Sequence, residues 1–190
     1  MNKKVSVGIF LFLAIPVRAD SEMAPYPRVT SSEMGTCYFK QVPNVMETDQ
    51  VTGNLYEKQS AYGVAYRVEF FGNGTETEVW RTSGWYAFEV FITDTCDYLV
   101  RMGNWADGRQ PSSEDLAVAF YNKGQLMKEY STSDLVKDHS SVQSSVSHYI
   151  WQTGGNEYPR LVGNYDFHLV TSDEIHYVFD VTTGLIKEQH

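Results

Sequence analysis

The sequence is short of positive charge and of cysteine. Its 190 residues carry 15 Lys and Arg against 24 Asp and Glu, a formal net charge of −9. Affinity for nucleic acid needs clustered cations that displace counterions from phosphate, so this balance argues against that class of partner. Only two cysteines are present, Cys37 and Cys96, and they form no Cys-x-x-Cys pair. A thioredoxin-like redox centre and a four-cysteine zinc site are therefore not available. Several catalytic signatures are missing: the Gly-x-Ser-x-Gly elbow, His-Glu-x-x-His, the phosphate-binding loop and the dinucleotide fingerprint. No cofactor is expected.

Long apolar runs are also scarce, and the one that exists is at the start. Lys3 and Lys4 precede thirteen apolar residues, Val5 to Val17, followed by Val17-Arg18-Ala19. A cationic start, a short apolar stretch and small residues at the end make a secretory signal with cleavage near Ala19. As a helix the run would rise only ~20 Å, short of the ~30 Å hydrocarbon core, so it is not read as a membrane span. The short two-lysine start fits a bacterial protein, secreted or periplasmic. Removing residues 1–19 takes three cations and no acid, which moves the net charge from −9 to −12.

Export places both cysteines in an oxidising compartment. An even pair there most simply forms one disulfide, Cys37 to Cys96, worth roughly 4 kcal/mol through loop closure. The alternative is two buried thiols. Asn73-Gly74-Thr75 matches a glycosylation triplet and also a tight Asn-Gly turn; the bacterial look favours the turn.

What the chain has in quantity is β-branched and aromatic residues, with 42% hydrophobic and 14% aromatic content, enough to build a core. Residues 20–36 are polar with two prolines and read as a flexible segment; residues 42–54 read as a loop. From Leu55 onward, short strand-like runs are broken by turn signals. They include Gly63 to Phe71, Thr77 to Arg81, Trp85 to Thr93, Tyr98 to Met102, Leu116 to Tyr121 and Gln125 to Ser131. Tyr165 to Val170 and Ile175 to Val181 form a further hairpin, and Thr182-Thr183-Gly184 turns into Leu185. At most one short helix is expected, capped by Ser133 and running to Asp138. The expected class is all-β, an antiparallel meander over residues 37–190. Two architectures suit it: a two-sheet sandwich, or a small or partial propeller.

The second of these rests on a resemblance. The segments Trp80 to Trp85, Asp94 to Met102, Asp115 to Tyr130 and Tyr177 to Glu188 resemble hairpins of quinoprotein-like β-propeller blades. The last contains their phrase of strand, Asp, two residues, Thr-Gly and strand. The chain departs from such blades at Cys96, where they usually carry Gly. It has no Trp-Asp repeat signature and no fixed ~40-residue period. The mature length would hold only about four blades.

Candidate site residues fall in two groups. In the hairpin 165–181, matching the apolar faces requires odd residues to pair with odd ones. A register pairing Leu169 with Ile175 then sets His168 directly across from His176. Two imidazoles ~5 Å apart could share a metal, with Asp166 as a diagonal neighbour, or could be two solvated histidines. The second group is aromatic: Trp105 and Asp107 in the polar loop Gly103 to Ser113, with His148, Trp151 and Trp85. Aromatic faces stack on sugar or peptide groups, although tryptophans in β-domains also fill cores. Carboxylate pairs at Glu76/Glu78, Asp94/Asp97, Glu114/Asp115 and Asp173/Glu174 stand mostly in turns, and none is singled out for acid–base work. The sequence thus supports a secreted binding or structural module for a protein, peptide or glycan ligand. The alternative is a cell-envelope hydrolase with Asp107 or His148 as acid or base. A third reading is an assembly subunit pairing through an open sheet edge.

Overall fold

A computed structural model of the chain describes residues 22–69, 74–153, 155 and 157–190. The expected signal at 1–19 and the Asn73 turn lie outside the described residues. Strand segments joined mostly by short turns pair into three larger antiparallel sheets, two of four strands and one of five. The first contains β1 (Arg28–Ser31), β2 (Cys37–Val42), β5 (Tyr62–Val68) and β6 (Glu76–Ser83). Between β2 and β5 the chain makes a separate hairpin, β3 (Val45–Thr48) and β4 (Leu55–Gln59). The middle sheet is β7 (Val90–Ile92), β8 (Tyr98–Met102), β9 (Leu116–Asn122) and β10 (Gln125–Ser131).

A one-turn helix, α1 (Thr132–Leu135), and a 3-10 turn at His139–Ser141 follow. Next comes a two-stranded ribbon, β11 (Gln143–Ser144) with β12 (Tyr149–Ile150). In the third sheet the outer strand is split in two. β13 (Gln152–Thr153) and β14 (Arg160–Val162) both pair with β15 (Asp166–Thr171), which continues to β16 (His176–Asp180) and β17 (Leu185–Gln189). No sheet among the described residues closes into a barrel, and no helix is long and apolar enough to cross a membrane. The class is all-β, as the strand pattern predicts.

The sheets stack through two cores, as in a sandwich. On β8 and β9, Leu99, Ala119 and Tyr121 face Cys37, Phe39, Ala65 and Trp80 of the first sheet. Val100, Met102, Val118 and Phe120 join Phe167, Leu169, Tyr177 and Phe179 of the third. The middle sheet is thus covered on both sides, which is why Leu116 to Tyr121 reads as an unbroken apolar run. Each fully buried Phe or Leu here contributes roughly 1.5–3 kcal/mol.

Two glycine turns fit sheet to sheet. Gly124, at φ +80°, follows β9, and a Cβ there would come within 2.5 Å of the Arg81 carbonyl on the first sheet. Gly184, at φ +72°, follows β16, and a Cβ there would come within 2.7 Å of Lys128 on the middle sheet. In both places the turn between the last two strands of one sheet abuts the preceding sheet, and only a residue without a side chain fits. Asp180 fixes the second turn by accepting from the Thr182 amide (2.8 Å) and hydroxyl (2.7 Å).

The disulfide Cys37–Cys96 forms, with both residues fully buried and Cα atoms 5.6 Å apart. It ties β2 of the first sheet to the turn leading into β8, where Cys96 adopts φ 62°.

Several local expectations are corrected. Arg28–Ser31, inside the segment read as flexible, pairs as edge strand β1 with β2, and β3 occupies part of the stretch read as a loop. Both are four-residue strands without a fully buried residue, so no apolar alternation in the sequence marks them. The strand expected from Trp85 to Thr93 shrinks to Val90–Ile92. Side-chain amides replace a sheet neighbour there. Gln41 both donates to the Ala87 carbonyl (3.1 Å) and accepts its amide (3.2 Å), and Asn104 does the same for Tyr86 and Phe88 (3.0 Å each). The helix cap is Ser131 rather than Ser133. Ser131 accepts from the Asp134 amide (3.2 Å), while Asp134 accepts from the Ser131 amide (2.8 Å), a reciprocal capping box.

Candidate functional site

Trp105, Asp107, His148 and Trp151 come from two distant stretches that the backbone joins. The loop after β8 runs antiparallel to residues 147–149. Gly108 donates to the Ser147 carbonyl and Tyr149 to the Ala106 carbonyl (3.1 Å each), so Asp107 pairs with His148. That ladder seats the Trp105 indole against the His148 imidazole, ring centroids 3.9 Å apart and planes tilted by 39°. Asn104, spent on the Tyr86 and Phe88 backbone, fixes the chain at the residue before Trp105.

A shallow pocket of about 160 Å³ lies against this stack, lined by Trp105, His148, Ile150, Trp151 and Gln152 among others. Its size suits one ring or one side chain rather than a large ligand. Ile150 is half exposed and Trp151 is buried at 4%. Trp151 therefore forms the floor and belongs to the core, while Trp105 and His148 remain partly accessible. The Gln152 side-chain carbonyl is buried without a hydrogen-bond partner among the described residues. A buried acceptor without a partner is costly. Asp107 is exposed and outside the lining.

Behind the pocket a buried polar network holds the strand. The Tyr149 hydroxyl donates to Asp115 (2.7 Å) and lies 2.7 Å from the Thr132 hydroxyl. Thr132 in turn accepts the Ser112 amide (2.9 Å). Burial, with the Asp115 carboxylate, pushes the Tyr149 phenol up to about 12. The phenol stays protonated and serves as a strut rather than as an acid.

Trp85 does not join this site. It stacks in the other core on Phe39 (5.9 Å) and Tyr121 (5.3 Å), with the Arg101 guanidinium 4.7 Å from its ring. Arg101 was not singled out by sequence. It borders a cavity of about 490 Å³, beside Glu114, Glu129 and Asp134.

His168 and His176 do meet, by a different register. Leu169 pairs with Tyr177, so His168 stands opposite Val178 and His176 opposite Val170. The shift of two keeps every side chain on its expected face and turns the direct pair into a diagonal one. The imidazoles still reach each other, His168 Nδ1 to His176 Nε2 at 3.1 Å. Burial, then the neighbouring His176 and Arg160, pushes His168 below the ordinary imidazole value. Asp166 instead pairs with Lys187 at 2.6 Å. Among the described residues, no three His, Cys, Asp or Glu side chains stand together as a metal cage.

The acidic pairs have structural work. Glu76 accepts from Tyr38 (2.7 Å), Glu78 pairs with Arg81, and Asp94 accepts the Met34 amide (2.8 Å). Asp97 pairs with Lys123, and Asp173 accepts the amides of Lys137 (2.6 Å) and Asp138 (2.9 Å). No protein-family model matches the chain, and no curated protein or solved structure is similar to it at a significant level.

Proposed function

We propose that this chain is an exported binding module whose ligand seats on the Trp105–His148 stack. The observation that carries the reading is the 3.9 Å indole–imidazole contact at the mouth of a pocket floored by Trp151. A partly accessible aromatic pair beside a small pocket suits a ligand with an apolar face, such as a sugar ring or a peptide side chain. Export rests on the signal-like residues 1–19 and is supported by the formed disulfide. What supports the blade-like resemblance is the succession of three antiparallel sheets, the second and third with a glycine turn packed on the sheet before.

The hydrolase reading has less behind it. Among the described residues, neither Asp107 nor any other carboxylate lines the pocket with His148, and the nearby Tyr149–Asp115 pair is engaged in holding the strand.

The test is a tryptophan-fluorescence titration of the purified chain with panels of soluble oligosaccharides and short peptides. A saturable change that Trp105→Ala abolishes supports the site. A saturable change of equal affinity in Trp105→Ala overturns it.

A further inference from the structure

We propose that the cavity at one end of the middle sheet is a second binding site, for a basic amino acid. The cavity measures about 490 Å³, within the range of small-molecule sites. Its lining includes Arg101 of β8, Glu114 and Leu116 at the start of β9, Glu129 and Tyr130 near the end of β10, and Asp134 of α1. The first argument is that its opposite charges do not meet. Arg101 and Glu129 stand opposite the same residue, Ala119, from the strands on either side of β9. Their backbones are therefore two strand spacings apart, ~10 Å. Among the described residues Arg101 forms no ion pair, although three carboxylates share its cavity.

The second argument is the arginine itself. The Trp85 ring, 4.7 Å away, holds the guanidinium in place. Its one hydrogen bond among the described residues is long, 3.5 Å from Nη1 to the Tyr121 hydroxyl, and its Nε is buried without a partner. Most of the donor capacity of this planar fork is therefore unspent. The complement of such a fork is a carboxylate, which accepts two parallel bonds from it.

The third argument is the acidic side. Among the described residues the carboxylates of Glu114 and Glu129 pair with no cation and accept no hydrogen bond. Asp134 differs, since it accepts the Ser131 amide and hydroxyl (2.8 Å each). Two free carboxylates against one guanidinium call for a ligand with more ammonium than carboxylate. A basic α-amino acid has that count, with its carboxylate on Arg101 and its ammonium groups on Glu114 and Glu129. Charge-assisted bonds of ~2.8 Å at each end let it bridge charges that do not reach each other. The half-buried Leu116 and Tyr130 give its methylene chain an apolar wall. None of these residues belongs to the Trp105–His148 pocket, so the two sites are independent.

The experiment is a calorimetric titration of the purified chain with L-lysine. L-Lysinamide, which lacks the carboxylate, and L-glutamate are the controls. One-to-one binding of L-lysine is expected, weaker by about tenfold or more for L-lysinamide and in Arg101→Gln, and weakened also in Glu129→Gln. Amide NMR shifts in the unaltered chain locate the ligand without relying on variants that fold. Shifts centred on residues 100–102, 113–116 and 129–134 support the site. Absence of L-lysine binding, equal binding of either control, or shifts centred elsewhere overturns it.

Discussion

Trp105 stacks on His148 with ring centroids 3.9 Å apart, and the contact depends on a backbone ladder rather than on the two side chains alone. The loop that carries Trp105 is zipped to the strand that carries His148, and Trp151 lies beneath both. The two tryptophans therefore play different parts in one pocket.

Their substitutions should separate accordingly. Trp151→Ala empties a buried ring site and is expected to cost about 3–5 kcal/mol of stability. Trp105→Ala removes a partly exposed ring and should cost about 1 kcal/mol. Urea denaturation followed by far-UV circular dichroism measures both. Equal losses would mean that Trp105 is as much a core residue as Trp151.

The Cys37–Cys96 bond joins the first sheet to the turn that starts β8, so its loss should be felt globally. Mass spectrometry of the unreduced chain is expected to find both thiols absent. Cys37→Ser with Cys96→Ser should lower stability by about 2–5 kcal/mol. Free thiols at both positions in the unreduced protein would refute the pairing.

Alkaline titration should expose the buried phenols. Burial pushes both Tyr149 and Tyr177 up to about 12, against an ordinary value of 10.0. The unfolded chain then releases these protons before the folded one does. Their contribution to stability is complete below pH 10 and is lost as the pH rises from there through 12. Tyrosinate absorbance and circular dichroism recorded together should show late ionisation coinciding with unfolding. Tyr149→Phe with Tyr177→Phe should remove part of that pH dependence.

Gly184 should tolerate no side chain. Gly184→Ala adds a Cβ within 2.7 Å of Lys128 at φ +72° and is expected to cost about 2–3 kcal/mol. Gly53→Ala, at the same φ with nothing within 4 Å, should cost only about 1 kcal/mol of backbone strain. Thermal unfolding of the two variants compares close packing with conformation alone.

The class of the fold was legible because strand-like runs broken by turn signals recur from Leu55 onward, alternating where one face is buried (Asp166–Thr171) and continuous where both are (Leu116–Tyr121). Strands β1 and β3 were not legible, since four residues with none fully buried leave no apolar period to read. The face of the His168 hairpin was legible, but its register was not. Parity is enforced by Phe167, Leu169, Tyr177 and Phe179 in the core. The shift of two is set locally by the turn, where the Thr171 amide donates to the Ile175 carbonyl (3.0 Å) and Glu174 takes φ 64°. The truncation of β7 depends on the long-range amides of Gln41 and Asn104, which no local pattern announces. Trp105, His148 and Trp151 could be nominated as aromatics among polar neighbours, yet their convergence rests on a pairing between distant segments. The unpartnered Gln152 carbonyl carried no sequence signal at all.

The most direct test of the account is amide NMR shift mapping on the purified chain with soluble oligosaccharides and short peptides. The account predicts saturable shifts centred on residues 104–107 and 148–152 and lost in Trp105→Ala. Saturable shifts centred elsewhere, with residues 104–107 and 148–152 unmoved, would contradict it.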